Sequence, residues 1–344
     1  MPFSSRLISL LVVCLALCST LRAQADDAYK VVQKTIVGGD GGWDYLLVDP
    51  AARRLYVTRA TRVMVFDADS LKQVGEIPNT TGVHGVALAP ELSRGFTSNG
   101  RAGSITIFDP KTLATIEEVK IEGQNPDAIL YDPPTKRVFA FNGRSGDATV
   151  LDAASGKVVG TIPLGGKPEF ATTDLEGHVF VNVEDKSEVL ALDPRKLSVE
   201  HRWPLAPCEE PSGMAIDRAH KRLFVGCDNK SMAMVDAATG KVLATAPIGS
   251  GVDANGFDPG TGLAFSSNGE GTLTIAKEGP PGTLRVVENV ATQRGARTMA
   301  LDEKTHRVFL VTCEFGPPPA PTADQPHPRP SQMPGTFTIL VVGR

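Results

Sequence analysis

The feature that most constrains this chain is an internal repeat. Segments that carry an apolar strand through a turn into a second strand recur along it. They read YLLVDPAARRLYV (45–57), GVALAPELSRGFT (85–97), AILYDPPTKRVFA (128–140), FATTDLEGHVFV (170–181), GMAIDRAHKRLFV (213–225), ANGFDPGTGLAFS (254–266) and TMALDEKTHRVFL (298–310). The turn position is Asp49, Ala89, Asp132, Asp174, Asp217, Asp258 and Asp302, so successive copies lie 40, 43, 42, 43, 41 and 44 residues apart. A period of this size marks a unit that cannot bury its own apolar face and stacks on copies of itself.

Each unit continues the same way. A third apolar strand ends in an Asp turn (VMVFDADS, ITIFDPKT, TVLDAAS, LALDPRK, MAMVDAAT), and a fourth strand follows (KVVGTIPL, KVLATAPI). Four short strands joined by Asp, Gly and Pro turns form a meander, and at this period the meander is a β-propeller blade. The 34 glycines and 26 prolines of the 344 residues are the punctuation this requires. The last copy ends at TFTILVVGR (336–344) with three strands, while YKVVQKTIVGG (29–39) matches GKVVGTIPLGG (156–166). The fold class expected is therefore all-β: a seven-bladed β-propeller of four-stranded blades, its last blade completed by the N-terminal strand. Closing the ring this way removes open sheet edges.

Residues 1–25 stand apart from the repeat. Arg6 precedes an apolar run, Leu7 to Leu21, and Ala23-Gln24-Ala25 is a small-x-small cleavage site before Asp26-Asp27. This reads as a signal peptide cleaved after Ala25, leaving one propeller domain at 26–344 in the periplasm or outside the cell. Val13 and Leu17, rather than small residues, precede Cys14 and Cys18, which disfavours a lipid anchor. Export implies an oxidising compartment, so Cys208, Cys227 and Cys313 matter. Cys227 ends the second strand of blade five and Cys208 precedes its first, so antiparallel pairing predicts a Cys208–Cys227 disulfide with Cys313 free.

The second strands and their following loops read YVTR (56–59), FTSN (96–99), FAFN (139–142) and FSSN (265–268). With inner strands of the G-V-A-x-x-P type, this resembles the YncE-like exported β-propellers built from 40-residue YVTN repeats, over residues 29–344. The resemblance implies the fold and export, and little about chemistry. WD40 repeats would need Trp-Asp pairs, yet the chain has only Trp43 and Trp203; a tryptophan-docking quinoprotein repeat would need Trp where VDAATGKVLA (235–244) ends in Ala244. Seven-bladed lactonases share the architecture and stay open as an alternative. The net charge of −4 and an aromatic fraction of 6% argue against nucleic acid as a partner.

Chemistry is sought where blades converge, at the mouth of the central channel. Five residues before each turn position stand Asp44, His84, Asp127, Glu169, Ser212, Asp253 and Arg297. Asp44, His84, Asp127, Glu169, Asp253 and Arg297 are the candidate ligand-binding residues, for a small molecule or a protein partner, with the protein expected to be a monomer. Crowded carboxylates raise one another's pKa, and an oxygen-rich set suits Ca²⁺ or Mg²⁺, so a lactonase-like hydrolase with a divalent cation is the competing reading. No dedicated metal motif or Ser-His-Asp spacing accompanies these residues. Arg294 would suit an anionic ligand group, and Asn99, Asn142, Asn229 and Asn268 read chiefly as turn formers. Trp43 and Tyr45 are expected to pack at the rim. A stretch with eight prolines, 313–335, interrupts blade seven on the same face, as a lid, a docking arm or a solvated insertion.

Overall fold

The Asp that ends the first strand in every blade but the second, where Ala89 stands, forms an Asx turn: its carboxylate replaces the backbone acceptor a sharp reversal lacks. Asp49 Oδ1 accepts the Ala51 and Ala52 N–H groups at 3.0 Å each. In the Asp-x-x-(Ser/Thr) turns, Asp67 Oδ1 accepts from the N–H and the hydroxyl of Ser70 at 2.7 and 2.6 Å, and Asp236 accepts from both groups of Thr239 at 3.0 and 2.9 Å. In the computed structural model, residues 28–280, 282–320, 328 and 330–344 are described; the expected signal peptide lies outside them, as does part of the proline-rich stretch. The strands between these turns form seven antiparallel four-stranded sheets arranged as a ring. The inner strands are Trp43–Asp49, Val83–Ala89, Pro126–Asp132, Pro168–Thr173, Pro211–Asp217, Val252–Asp258 and Met299–Asp302. Blade seven takes its fourth strand from the N-terminus: Lys30–Ile36 pairs with Thr338–Gly343, Lys30 opposite Gly343 and Ile36 opposite Thr338. The all-β seven-bladed propeller and its closure are thus as the repeat predicts. No helix among the described residues is long and apolar enough to cross a membrane.

The core lies between blades rather than within any one. Leu55, Val57, Met64 and Phe66 of blade one pack on Phe309, Val311, Ile339 and Val341 of blade seven. Tyr56, Val63 and Val65 pack from the other side of the same strands on Val83, Val86 and Phe108 of blade two. Apolarity on both faces of the second and third strands follows from this sandwiching, whereas an outer strand such as Thr115–Lys120 is mostly exposed. Burying each such Val, Leu or Phe contributes about 1.5–3 kcal/mol, and only a neighbouring blade supplies the cover.

The asparagines that end several second strands are buried structural links. Asn99 Nδ2 donates to Ser104 Oγ and Thr106 Oγ1 at 3.2 and 2.8 Å. Asn142 Nδ2 donates to Asp147 and Thr149 at 2.6 and 2.9 Å, and Asn268 Nδ2 to Thr272 and Thr274 at 3.0 Å each. Each pins the second strand to the third of its own blade. Asn229 donates instead to the Pro207 carbonyl at 2.8 Å. Cys208 and Cys227 are joined as a disulfide, with Cα atoms 5.7 Å apart, and Cys313 is a buried free thiol. Asn99→Ala is expected to lower unfolding stability by about 1–3 kcal/mol, because it strands buried hydroxyls. A shift of the urea midpoint without a change of slope measures this.

Candidate functional site

The inner strands do not keep straight register to their upper ends. In blade three, Pro126 pairs with Asn142, but the next pair is Ile129 with Ala140. The same extra residue lies between Trp43 and Leu46, Val83 and Val86, Pro168 and Ala171, Pro211 and Met214, and Val252 and Ala254. A β-bulge re-aims the side chain it carries, and the residues it carries here include Asp44, His84, Asp127, Glu169, Ser212 and Asp253. Arg297 lies just ahead of the seventh inner strand. Each blade thereby places a polar residue at its bulge or strand head, above a largely apolar strand that carries Thr172 and Thr173 in blade four and Asn255 in blade six.

The candidates sort into three paired groups. His84 Nδ1 lies 2.5 Å from Asp44 Oδ2 and 3.6 Å from Asp127 Oδ1, bridging blades one, two and three. Glu169 Oε1 is 2.7 Å from Lys167 Nζ, which also pairs with Glu184. Arg297 Nε lies 3.5 Å from Asp253 Oδ2. Ser212 Oγ donates to the Asp253 carbonyl at 3.3 Å, joining blade five to blade six. Asp44, Asp127, Glu169, Glu184, Glu210, Asp228 and Asp253 face Lys167 and Arg297 around a cavity of about 390 Å³. His84 opens instead onto an adjoining cavity of about 420 Å³ with Arg101, Asn125 and Arg144.

Beneath the carboxylates, Tyr45 of blade one meets Phe170 of blade four, ring centroids 4.5 Å apart. Blades one and four are not neighbours in the ring, so this contact spans the channel and floors the mouth. Burial pushes the Tyr45 phenol up, and the charges of Asp127, Glu169, Asp44 and Asp253 push it further. Trp43 packs on Phe337 and Phe315 at 5.3 and 6.5 Å, and Arg294 lies over Phe315 in a separate cavity beside the base of the proline-rich stretch. That base is a short ladder in which Phe315 bridges to Gln332.

The electrostatics are uncompensated on the acidic side. Burial raises the Asp127 carboxyl, and the Asp44 charge adds to it, against the opposing pull of His84. Glu169 is raised by burial and by Asp127, despite Lys167. Asp253 is raised by burial, despite Arg297. At His84 burial disfavours the cation, yet the hydrogen bond to Asp44, the charges of Asp127 and Asp44 and a hydrogen bond donated to the Asn125 side chain outweigh it, raising the imidazole to about 9. Lys167, Glu184 and Asn125 were not singled out by the repeat register. Lys167 and Asn125 each stand two residues before Glu169 and Asp127, where the sequence offers no periodic polar signal, and Glu184 comes from the loop after a second strand.

No protein-family model matches this chain, and no curated protein does. Solved structures do: a chain of the mitotic checkpoint complex superposes with a TM-score of 0.74 at 14% identity, covering 92% of both chains. U3-55K superposes with a TM-score of 0.72 at 10% identity, covering 91% of this chain and 99% of that one. At these identities the likeness is one of fold.

The pH dependence of stability follows from the signs. A histidine raised from 6.5 to about 9 contributes stabilisation that is complete below its unfolded value and lost as pH rises through 9. The raised carboxyls act in the same direction at lower pH, since folding favours their protonated forms. The thermal midpoint is therefore expected to fall between pH 6.5 and 9.5, and His84→Gln to flatten that fall. A wild-type midpoint that rises over this interval contradicts the assignment.

Proposed function

We propose that the protein is an exported binding protein whose channel mouth holds a cationic group, borne by a small molecule or by a basic side chain of a protein partner. The observation that carries this reading is the charge imbalance of the floored mouth. Seven carboxylates from several blades share one cavity with two basic side chains, the His84 imidazole beside Asp44 and Asp127 adds one more positive charge, and three of the carboxyls still have raised pKa values. Such a site is short of positive charge. A bound cation would favour ionisation of Asp127, Glu169 and Asp253 and recover the Coulomb energy that their crowding costs. Export is supported by the N-terminal sequence and by the Cys208–Cys227 bridge, which suits an oxidising compartment. The resemblance to YncE-like propellers points the same way.

A second reading rests on one geometric fact. Asp44, His84 and Asp127 can each offer a ligand atom, with all three atoms within 4.8 Å of one another. That favours a divalent cation at the edge of the mouth and, with it, a lactonase-like hydrolase that polarises a carbonyl with the metal.

Thermal unfolding at constant ionic strength separates the two. Under the first reading spermidine raises the midpoint of the wild type by mass action, and an Asp127→Asn, Glu169→Gln double variant loses that response while staying folded. An equal spermidine response in both proteins counts against it. Under the second, millimolar Ca²⁺ or Mg²⁺ raises the midpoint, EDTA reverses the rise, and Asp44→Asn abolishes it.

A further inference from the structure

The acidic cup has a neighbour of opposite sign. Where blades six, seven and one meet on the same face lies a second cavity of about 390 Å³, within the roughly 300–1,000 Å³ of small-molecule sites. Arg294 and Arg297 line it, and among the described residues no carboxylate does. Both arginines come from the loop that enters the seventh inner strand, TQRGARTM, and stand three residues apart.

Neither arginine is spent on the fold. The Arg294 side chain is exposed and makes no ion pair or hydrogen bond among the described residues; its guanidinium carbon lies 5.9 Å from the centroid of the Phe315 ring. Arg297 has one ionic contact, Nε 3.5 Å from Asp253 Oδ2, with 47% of its side chain exposed. The floor beside them is backbone. Gly269 N donates to the Gly251 carbonyl and Gly295 N to the Gly269 carbonyl, each at 2.8 Å, so glycines of blades six and seven form a chain of linked peptide groups. Gly251 and Gly295 have φ of 67 and 81°, which glycine adopts without strain. A Cβ at Gly295 would stand 2.6 Å from the Phe315 ring, so that ring packs directly on the glycine. Trp43 and Phe315 wall the cavity with apolar surface.

This cavity and the acidic cup share a border. Gly251 and Arg297 line both, and Arg297 is paired with Asp253 of the cup. A simple cation in the cup leaves the arginine side unmet, whereas a molecule with a carboxylate near its cationic group answers both. The other flank of the mouth is not complementary in this way. Arg101 and Arg144 line the His84 cavity, but the Asp44 carboxylate lines it with them.

We infer that the ligand of the mouth is dipolar, an ammonium compound bearing a carboxylate, with its cationic group among Asp127, Glu169 and Asp253 and its carboxylate on Arg294 and Arg297. This rests on the reading of the cup as a cation site and names the other end of the ligand. Guanidinium groups suit a carboxylate because their planar N–H donors match its two oxygens. The glycine floor lets the connecting atoms lie against the backbone.

Isothermal titration of the full chain with ω-amino acids, from glycine to 6-aminohexanoate, each compared with its own primary amide, tests this. The amide keeps the ammonium group and the length and loses the negative charge. At least one acid is expected to bind about tenfold to a hundredfold more tightly than its amide, the worth of a charge-assisted contact. Its chain length then reports the separation of the two charge sites. Arg294→Gln should bring that acid down to the affinity of its amide and leave the amide unchanged, and Arg294→Lys should keep part of the advantage. The side chain removed makes no ion pair or hydrogen bond, so both variants are expected to fold. Amides that bind as tightly as every acid overturn the dipolar ligand while the cation reading of the cup stands. So does an advantage removed by Arg101→Gln and not by Arg294→Gln. Absence of binding by acids and amides overturns it alone if spermidine still raises the wild-type midpoint, and together with the cup reading if spermidine does not.

Discussion

Six residue pairs in antiparallel register between Lys30–Ile36 and Thr338–Gly343 hold this molecule in a ring. A four-stranded blade has two apolar faces and no helix to cover them, so each of the seven depends on two neighbours. Without the N-terminal strand, the edge of blade seven would expose the unpaired backbone of Thr338–Gly343, strand that is otherwise wholly buried. Because chain start and chain end share that sheet, unravelling either end costs the same interface. Closure also fixes the channel width, and through it the contact of Tyr45 with Phe170 across the centre. The mouth is a floored cup because the ring has this circumference.

The cup's chemistry comes from a local irregularity repeated by symmetry. A regular strand would alternate its side chains between the two blade faces, both occupied by apolar neighbours. One extra residue at the top of each inner strand releases a polar side chain towards the axis without disturbing the packing below. Six blades use the device, and the seventh has Arg297 ahead of its strand. Convergence around an axis then concentrates carboxylates more than their own solvation favours, which is why burial heads the causes at Asp127, Glu169 and Asp253. His84 and Lys167 each offset two carboxylates and Arg297 one, which leaves part of the repulsion in place.

Much of the architecture was legible because a repeat states the same fact seven times. The Asp turns, the four strands per unit and the displaced N-terminal strand each follow from comparing copies. The site was legible only as a register: counting five residues back from Asp132 finds Asp127, but nothing in the spacing says that His84 would lean towards Asp44 and Asp127 rather than stand free. Pairing is set by bulge geometry and inter-blade distance, which are three-dimensional quantities. Lys167 and Glu184 escaped the same count because they lie off the periodic positions. The Tyr45–Phe170 floor escaped because it joins blades that are far apart in the repeat order. The asparagines show the converse. Their recurrence at strand ends on the loop face suggested turns, and their amides in fact point back into their own sheets.

In a ring of near-equivalent units, departures from the common pattern are more informative than the pattern. At the end of a second strand Asn99, Asn142 and Asn268 each donate to the third strand of their own blade, whereas Arg59 leaves two donors unmet and faces Arg62. The glycines at 38, 39, 41 and 42, the stacked Phe337 and the base of the proline-rich stretch all converge on the seam of blades one and seven. The positions that agree between blades build the ring, and those that differ place an acidic cup on its axis and a buried arginine at its closing seam.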